Sequence, residues 1–91
     1  MDELKFGANM VVITDDRGIL HLFSYETEVL RYNPRNKDMT VYTKVANYSK
    51  TTKTHVRNFC TYFLDDPLVA PAIFDPEKSR NGYKILHIIN E

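Results

Sequence analysis

The spacing of apolar residues changes once along the chain, and that change sets the order of its structural elements. In "MTVYTKVANY" (39–48) the side chains alternate, with Met39 and Val41 on one face and Tyr42 and Lys44 on the other. From residue 49 onward the spacing becomes helical, with an apolar stripe of Val56, Phe59, Cys60, Phe63 and Leu64. Because such a stripe must be covered, the sequence predicts strands followed by one helix packed on them.

Three strands are expected before the helix. The first is "ANMVVIT" (8–14), and the second is "ILHLFSYETEVLRY" (19–32), whose alternation breaks and so predicts a bulge or bend near Ser24–Glu26. The third is 39–48. "DDRG" and "NPRNKD" (33–38) supply the turns, in which Gly18 provides a positive φ and Asn36 can adopt a left-handed conformation. The result is an antiparallel meander.

The remaining chain completes one domain spanning residues 1–91. Ser49 or Thr51 is expected to cap the helix, and "DDP" (65–67) to end it. "LVAPAIF" (68–74) is interpreted as irregular, and "YKILHIIN" (83–90) as a final strand that is either central or at an oligomer edge. The predicted fold class is α+β, an antiparallel β-meander with one helix packed on the sheet, in the order β-β-β-α-β.

Composition narrows the class of protein. Cys60 is the single cysteine, so an intramolecular disulfide is excluded, and burial on the apolar stripe predicts that it is inert. No secretory signal or apolar run of membrane-spanning length is visible, so a cytoplasmic protein with no membrane contact is expected. A chain of 91 residues has little room for a cleft, which favours a binding module over an enzyme and predicts no cofactor and no metal.

The formal net charge is zero, yet the charges are segregated. Residues 29–62 carry seven basic side chains against Asp38 alone, a balance of +6. Residues 1–28 and 63–91 are acidic, at −4 and −2. Segregation of this degree creates a dipole that can steer an oppositely charged partner.

Three basic residues share one face of the predicted helix, since Lys50, Lys53 and Arg57 recur at i, i+3 and i+7. Two lie at the helix start, where a cation costs roughly a few tenths of a kcal/mol. We therefore predict an anion-binding surface, and the residues assigned to it are Lys44, Lys50, Lys53, Arg57, Tyr42 and Tyr48. Two alternatives remain open: these cations are ordinary solvated side chains, or the acidic ends of the chain imitate phosphates toward a basic partner.

Other combinations of residues give weaker evidence for a metal or catalytic site. His21 and His87 both fall in predicted strands and could be sheet neighbours, but two histidines alone make a weak metal site. Ser49 with His55 and some aspartate is a combination found in most proteins, so it predicts no catalytic triad. The acids of "DDRG" and "DDP" lack apolar surroundings that would raise a carboxyl pKa for acid–base catalysis.

Two segments of the sequence fit a pattern that is shared with other proteins. In "SYETEV" (24–29) the residues Ser24, Tyr25, Thr27 and Val29, and in "YSKTTKTHVRNF" (48–59) the residues Tyr48, Ser49, Thr51, Thr52, His55, Val56 and Phe59, fit a shared pattern. With it the chain resembles short uncharacterised proteins of bacteriophages and other mobile elements. The resemblance covers roughly residues 18–64, and it supplies no catalytic residue or cofactor.

The resemblance implies a viral accessory protein in the host cytoplasm. We therefore expect a non-enzymatic protein that binds a host protein or nucleoprotein complex and sterically blocks or modulates it, anti-CRISPR and other anti-defence inhibitors being examples. The alternative is a nucleic-acid-binding module that uses the basic helix 49–64 and a tyrosine-bearing sheet. A homodimer formed through an edge strand remains open.

Overall fold

The computed structural model describes residues 2–5, 9–42, 49–75 and 82–88. Within these residues the chain forms six strands and two helices. In chain order they are β1 (Asp2–Lys5), β2 (Met10–Thr14), β3 (Leu20–Ser24), β4 (Thr27–Asn33), β5 (Asp38–Tyr42), α1 (Lys50–Phe63), α2 (Val69–Phe74) and β6 (Lys84–Ile88). The predicted α+β class is confirmed.

The described strands form one sheet in the order β1-β2-β3-β4-β5-β6. The first five are antiparallel neighbours, and β6 pairs with β5 in parallel. The meander is thus longer than the three strands predicted, because β1 adds a strand at one end and the segment 19–32 divides into β3 and β4. The third predicted strand is described as far as Tyr42, and residues 43–48 lie outside the described part of the chain.

A two-residue turn divides the predicted strand 19–32 into β3 and β4. Tyr25 and Glu26 have φ values of 52° and 69°, and Ser24 pairs directly with Thr27 across the turn. Two central residues with positive φ are what a tight hairpin requires, since this turn matches the twist of the strands. The predicted bend is therefore a hairpin. A bulge is present as well, because Leu22 pairs with Leu30 and Phe23 with Glu28, which leaves Val29 as the extra residue.

In the β2–β3 and β4–β5 turns, a side chain of the turn itself accepts hydrogen bonds from backbone N–H groups. Asp15 Oδ1 accepts hydrogen bonds from the backbone N–H groups of Arg17 (2.9 Å) and Ile19 (3.1 Å), and Gly18 has the predicted positive φ of 81°. In the β4–β5 turn the left-handed residue is Lys37 (φ 60°), where Asn36 was the candidate. Asn36 instead accepts the N–H of Asp38 through its side-chain oxygen at 2.9 Å, which is the other way an asparagine stabilises a turn.

Helix α1 begins and ends as its sequence predicts. Ser49 is the N-cap, and its Oγ accepts the backbone N–H of Thr52 at 3.1 Å. At the other end Asp65 adopts a positive φ of 51°, and the N–H of Asp66 donates to the carbonyl of Cys60 at 3.2 Å. This left-handed residue turns the chain away before Pro67.

The interpretation of 68–74 as irregular is wrong, because Val69–Phe74 form the second helix α2. Pro71 is its third residue, and the N–H groups of the first helical turn have no acceptor within the helix, so a proline there removes no hydrogen bond. Burial stabilises the short segment: Val69, Ala70, Ala72 and Ile73 are all buried. No helix in the described ranges is long and apolar enough to cross a membrane.

Both helices contribute to a core on one face of the sheet. The buried strand residues there include Val12, Leu22, Leu30 and Val41, and α1 contributes Phe59 at 0% exposure. Since neighbouring residues of a strand point to opposite faces, the residues between them, such as His21, Arg31 and Tyr42, lie on the second face. We call it the helix-free face because both helices of the described ranges contribute to the core on the other side.

The final strand lies at an edge of the described sheet. β6 is not central, as one of the two predicted options had it, because only β5 neighbours it among the described strands. Its parallel pairing with β5 requires a long connection across the sheet, and the segment that contains α1 and α2 supplies it. Leu86 on β6 is 60% exposed.

Phe59 tests the packing of α1 on the sheet. Phe59→Ala should lower the free energy of unfolding by about 3–5 kcal/mol, because it removes a fully buried aromatic ring. The matched control is Tyr62→Ala on the same helix, where the ring is 65% exposed, so less apolar surface is lost from the core and the expected destabilisation is smaller. Urea denaturation of both variants measures the difference, and equal losses would contradict this packing.

Candidate functional site

The outward side of α1 is basic. The helix contains Lys50, Lys53 and Arg57 and no aspartate or glutamate. Lys50 and Arg57 are exposed and Lys53 is half-buried. Among the described residues none of the three forms an ion pair with a carboxylate. We call these three residues the cationic face.

The other residues assigned to the predicted surface do not extend this face. Tyr42 lies on β5 next to buried Val41, so its side chain is on the helix-free face, on the opposite side of the sheet from α1. There the guanidinium of Arg31 stacks 5.6 Å from the centre of its ring. Lys44 and Tyr48 lie outside the described residues. The four described members of the predicted set are thus divided between two sides of the molecule.

A groove runs between α1 and α2 beside the cationic face. It encloses about 430 Å³ and is lined by Arg57, Thr61, Pro67, Ala70, Pro71 and Phe74. The guanidinium of Arg57 stacks 5.4 Å from the centre of the Phe74 ring. A cation on an aromatic face keeps its N–H groups directed outward, so Arg57 is held at the groove while it can still bind an anion.

Where α1 packs on β3 lies a chain of four polar side chains, three of them buried and the fourth, Ser49, at the exposed start of the helix. Ser24 Oγ is 2.8 Å from His55 Nδ1 and 3.0 Å from Thr52 Oγ1, and Ser49 Oγ donates to Thr52 Oγ1 at 3.1 Å. Ser24, Thr52 and His55 are 3%, 8% and 8% exposed. We call these four residues the buried polar chain. It links the end of β3 to the first turn of α1.

One arrangement of protons satisfies every hydroxyl of this chain. Ser49 donates to Thr52; if Thr52 then donates to Ser24 and Ser24 to His55 Nδ1, each proton has one acceptor. Nδ1 must then carry no proton, so His55 is the neutral tautomer. A proton on Nδ1 would make Ser24 its acceptor and direct the Ser24 hydroxyl proton to Thr52, so that Ser24 and Ser49 both donate to Thr52 and the Thr52 hydroxyl has no acceptor within these four residues.

The surroundings of His55 favour the same state. Burial lowers the pKa of His55 below its ordinary value of 6.5, because a charged imidazole loses solvation there. The ring of Tyr25 covers it, with 5.9 Å between the ring centres, and no described charged group pairs with it. Ser24 is almost fully buried, and its hydrogen bonds with His55 and Thr52 join β3 to α1.

A second polar cluster lies on the helix-free face. His21 Nε2 is 2.8 Å from Asp15 Oδ2, His21 Nδ1 is 2.5 Å from Glu28 Oε2, and Arg31 Nη2 is 3.2 Å from Glu28 Oε1. Each ring nitrogen of His21 is thus within hydrogen-bond distance of a carboxylate oxygen. The hydrogen bond from His21 holds the pKa of Asp15 at about 2. The charges of this cluster are therefore paired with one another.

This cluster also bears on His21 and His87, which the sequence allows as sheet neighbours but does not predict as a metal site. The two residues lie on β3 and β6, which β4 and β5 separate, so they are not neighbours in the sheet. Both nitrogens of His21 are already bonded. In the described part of the chain there is no group of three histidine, cysteine or carboxylate residues that could hold a metal ion.

Cys60 behaves as predicted. It is fully buried in α1, and burial raises the pKa of its thiol to about 12, with a smaller contribution from Asp66. A thiol that stays protonated at neutral pH is a poor nucleophile. The predicted position of Cys60 in the core is confirmed.

Sequence reasoning missed the buried polar chain. It considered His55 only together with Ser49, a combination that it set aside, whereas the partner of His55 is Ser24, which is distant in the sequence. A signal was present: Thr52 and His55 occupy positions adjoining the apolar stripe, where polar residues need internal partners. The two segments of the shared pattern, 24–29 and 48–59, also meet at this chain.

The chain belongs to a family of unknown function (DUF8033), whose sequence model matches residues 2–66. The match covers β1 through α1 and stops before α2 and β6. No curated protein and no solved structure matches the chain. The buried polar chain and the cationic face both lie inside the matched region, whereas α2, one wall of the groove, lies outside it.

The buried polar chain predicts a pH dependence of stability. The unfolded His55 titrates near 6.5 and the folded one below it, so below pH 6.5 protons favour the unfolded state. The stability that neutral His55 provides should be complete above pH 6.5 and decline as the pH falls toward the lowered pKa. His55→Gln should therefore be most destabilising at pH 7–8 and less so at pH 5.

Chemical denaturation of both proteins from pH 4.5 to 8 measures this difference. Comparison at each pH cancels the titration of groups that the two proteins share. A destabilisation by His55→Gln that is constant across the range would contradict the neutral buried state of His55.

Proposed function

We propose that this member of the DUF8033 family is a non-enzymatic binding protein that docks its cationic face on an acidic surface of a partner and blocks or modulates that partner sterically. The partner we propose is a host protein or ribonucleoprotein, as for an accessory protein of a phage or mobile element acting in the host cytoplasm. Anti-defence inhibition, CRISPR complexes included, is one form of this activity.

One observation carries the proposal: α1 presents three cations and no acid on a packed helix, and none is neutralised by a carboxylate among the described residues. The contrast with the helix-free face is informative, since Arg31 there is paired with Glu28. Cations left unpaired on a rigid element can form charge-assisted hydrogen bonds with a partner. Their side-chain entropy is lost only on binding.

The arrangement of the hydroxyl and imidazole groups supports a binding role over a catalytic one. Ser24 and His55 are the described nucleophile and base in hydrogen-bond contact. Both are buried where α1 meets β3, and the ring of Tyr25 lies against His55. A nucleophile must reach its substrate to act. We therefore assign these residues to holding α1, and the activity to the surface that α1 presents.

The alternative function, nucleic-acid binding by the basic helix and tyrosines of the sheet, is less favoured by the geometry. Among the described sheet tyrosines, Tyr32 is buried in the core and Tyr42 lies on the helix-free face. A single strand bound to the cationic face would not reach either ring. Binding by the three cations alone remains a testable form of this alternative.

The test is Lys50→Glu with Lys53→Glu. Fold stability should be unchanged or higher by about a few tenths of a kcal/mol, because acids suit the first turn of a helix. Capture of the partner from extracts of the natural host should fall at least about tenfold, which corresponds to about 1.4 kcal/mol. The matched control is Arg35→Glu with Lys84→Glu, which changes the net charge equally at exposed sites off α1.

Quantitative mass spectrometry measures how much partner is captured by the wild type, by the α1 variant and by the control variant. Capture that is equal for the wild type and the α1 variant would contradict the proposal. In parallel, fluorescence anisotropy with a mixed-sequence oligonucleotide at about 50 mM salt tests the alternative. Affinity that falls linearly in log–log form with salt, with a slope of about −2 to −3, would favour nucleic-acid binding over a protein partner.

A further inference from the structure

We infer that the partner contributes an acidic peptide segment with an aromatic side chain, and that this side chain enters the groove between α1 and α2 while a neighbouring carboxylate binds Arg57. The inference rests on the proposed function and specifies the chemistry of its partner. The shape, lining and charge of the groove carry it.

The groove has the size of a side-chain pocket. Its volume of about 430 Å³ lies within the range of roughly 300–1,000 Å³ usual for ligand sites. The walls are fixed by buried neighbours, since Ala70 is 3% exposed and Ile73 and Val69, on the same short helix, are fully buried. A phenylalanine or tyrosine ring is the side chain that fills such a space with the least loss of conformational entropy.

Its lining offers apolar contact and very little hydrogen bonding. Pro67, Ala70, Pro71 and Phe74 present carbon surfaces, and the prolines have no backbone N–H to donate. Thr61 donates its hydroxyl proton to the carbonyl of Arg57 at 3.0 Å, so it can only accept from a ligand. Arg57 is therefore the only side-chain proton donor left among the six lining residues.

The charged residue that lines the groove is basic, so the complementary ligand is acidic. None of its lining residues is a carboxylate, and α1 contains none either. The planar guanidinium of Arg57, stacked on Phe74, matches a carboxylate with two parallel hydrogen bonds. Lys53, four residues earlier on the helix, adds a second cation for a second acid. The complementary ligand thus combines an apolar ring with adjacent negative charge.

The experiment uses two synthetic peptides of ten residues, rich in glutamate and identical except for one central residue, phenylalanine or alanine. Each is titrated into the ¹⁵N-labelled full chain and followed by backbone amide shifts. The phenylalanine peptide should bind at least about tenfold more tightly, because its ring is removed from water in the groove. The shifts should concentrate at residues 57–61 and 67–74.

A matched pair of variants tests the location. Thr61→Tyr places a large side chain in the groove, whereas Thr54→Tyr places the same side chain two turns earlier on the outer side of α1, outside it. The two threonines make equivalent bonds to the carbonyl four residues before them. Thr61→Tyr should abolish the preference for the phenylalanine peptide, and Thr54→Tyr should leave it intact.

The outcomes separate this inference from the proposed function. Equal binding of both peptides, weakened by Lys50→Glu with Lys53→Glu, would overturn the groove and leave the cationic face as the binding site. A preference for phenylalanine that survives Thr61→Tyr would likewise overturn the groove. Binding of neither acidic peptide, or a concentration-dependent self-association mapped to the groove, would overturn the inference, and the former would count against the proposed function as well.

Discussion

The hydrogen bonds of Ser24 with Thr52 and His55 set the rotation of α1 on the sheet, and the rest of the surface depends on that rotation. Apolar packing of Phe59 and Val56 would tolerate a helix that turns about its axis, because hydrophobic contact is non-directional. Hydrogen bonds are directional, and a buried group that loses its partner costs about 1–3 kcal/mol. The buried polar chain therefore determines which side chains of α1 face outward, the three cations among them.

The charged side chains of the helix-free face and those of α1 differ in whether they are paired. On the helix-free face Glu28 bonds to both His21 and Arg31, so the guanidinium there is paired with a carboxylate. On α1 the cations are not paired with acids among the described residues. A molecule of zero net charge can thus expose one region of positive potential. This asymmetry is the physical basis for assigning recognition to α1.

Much of the fold follows from local rules that a sequence displays. The cap at Ser49, the apolar stripe through Phe59 and the turn at Gly18 each depend on residues close together in the chain, and each was predictable. Helix α2 was not predictable in this way, because a proline normally signals the end of a helix. Pro71 is tolerated because it lies in the first turn, and the position of that turn is set by packing. The separation of Tyr42 from the cationic face and the pairing of His55 with Ser24 depend on tertiary register, which a periodic pattern does not encode.

The parallel pairing of β6 has a kinetic consequence. Antiparallel neighbours in β2–β5 are joined by short turns and can associate early, whereas β6 must wait until both helices have been placed, since its partner β5 precedes them in the chain. Until then the outer edge of β5 is an open template for other chains. Nascent molecules are therefore most prone to misassociation in the interval before the last strand docks, and a chaperone that shields that edge would raise the folding yield.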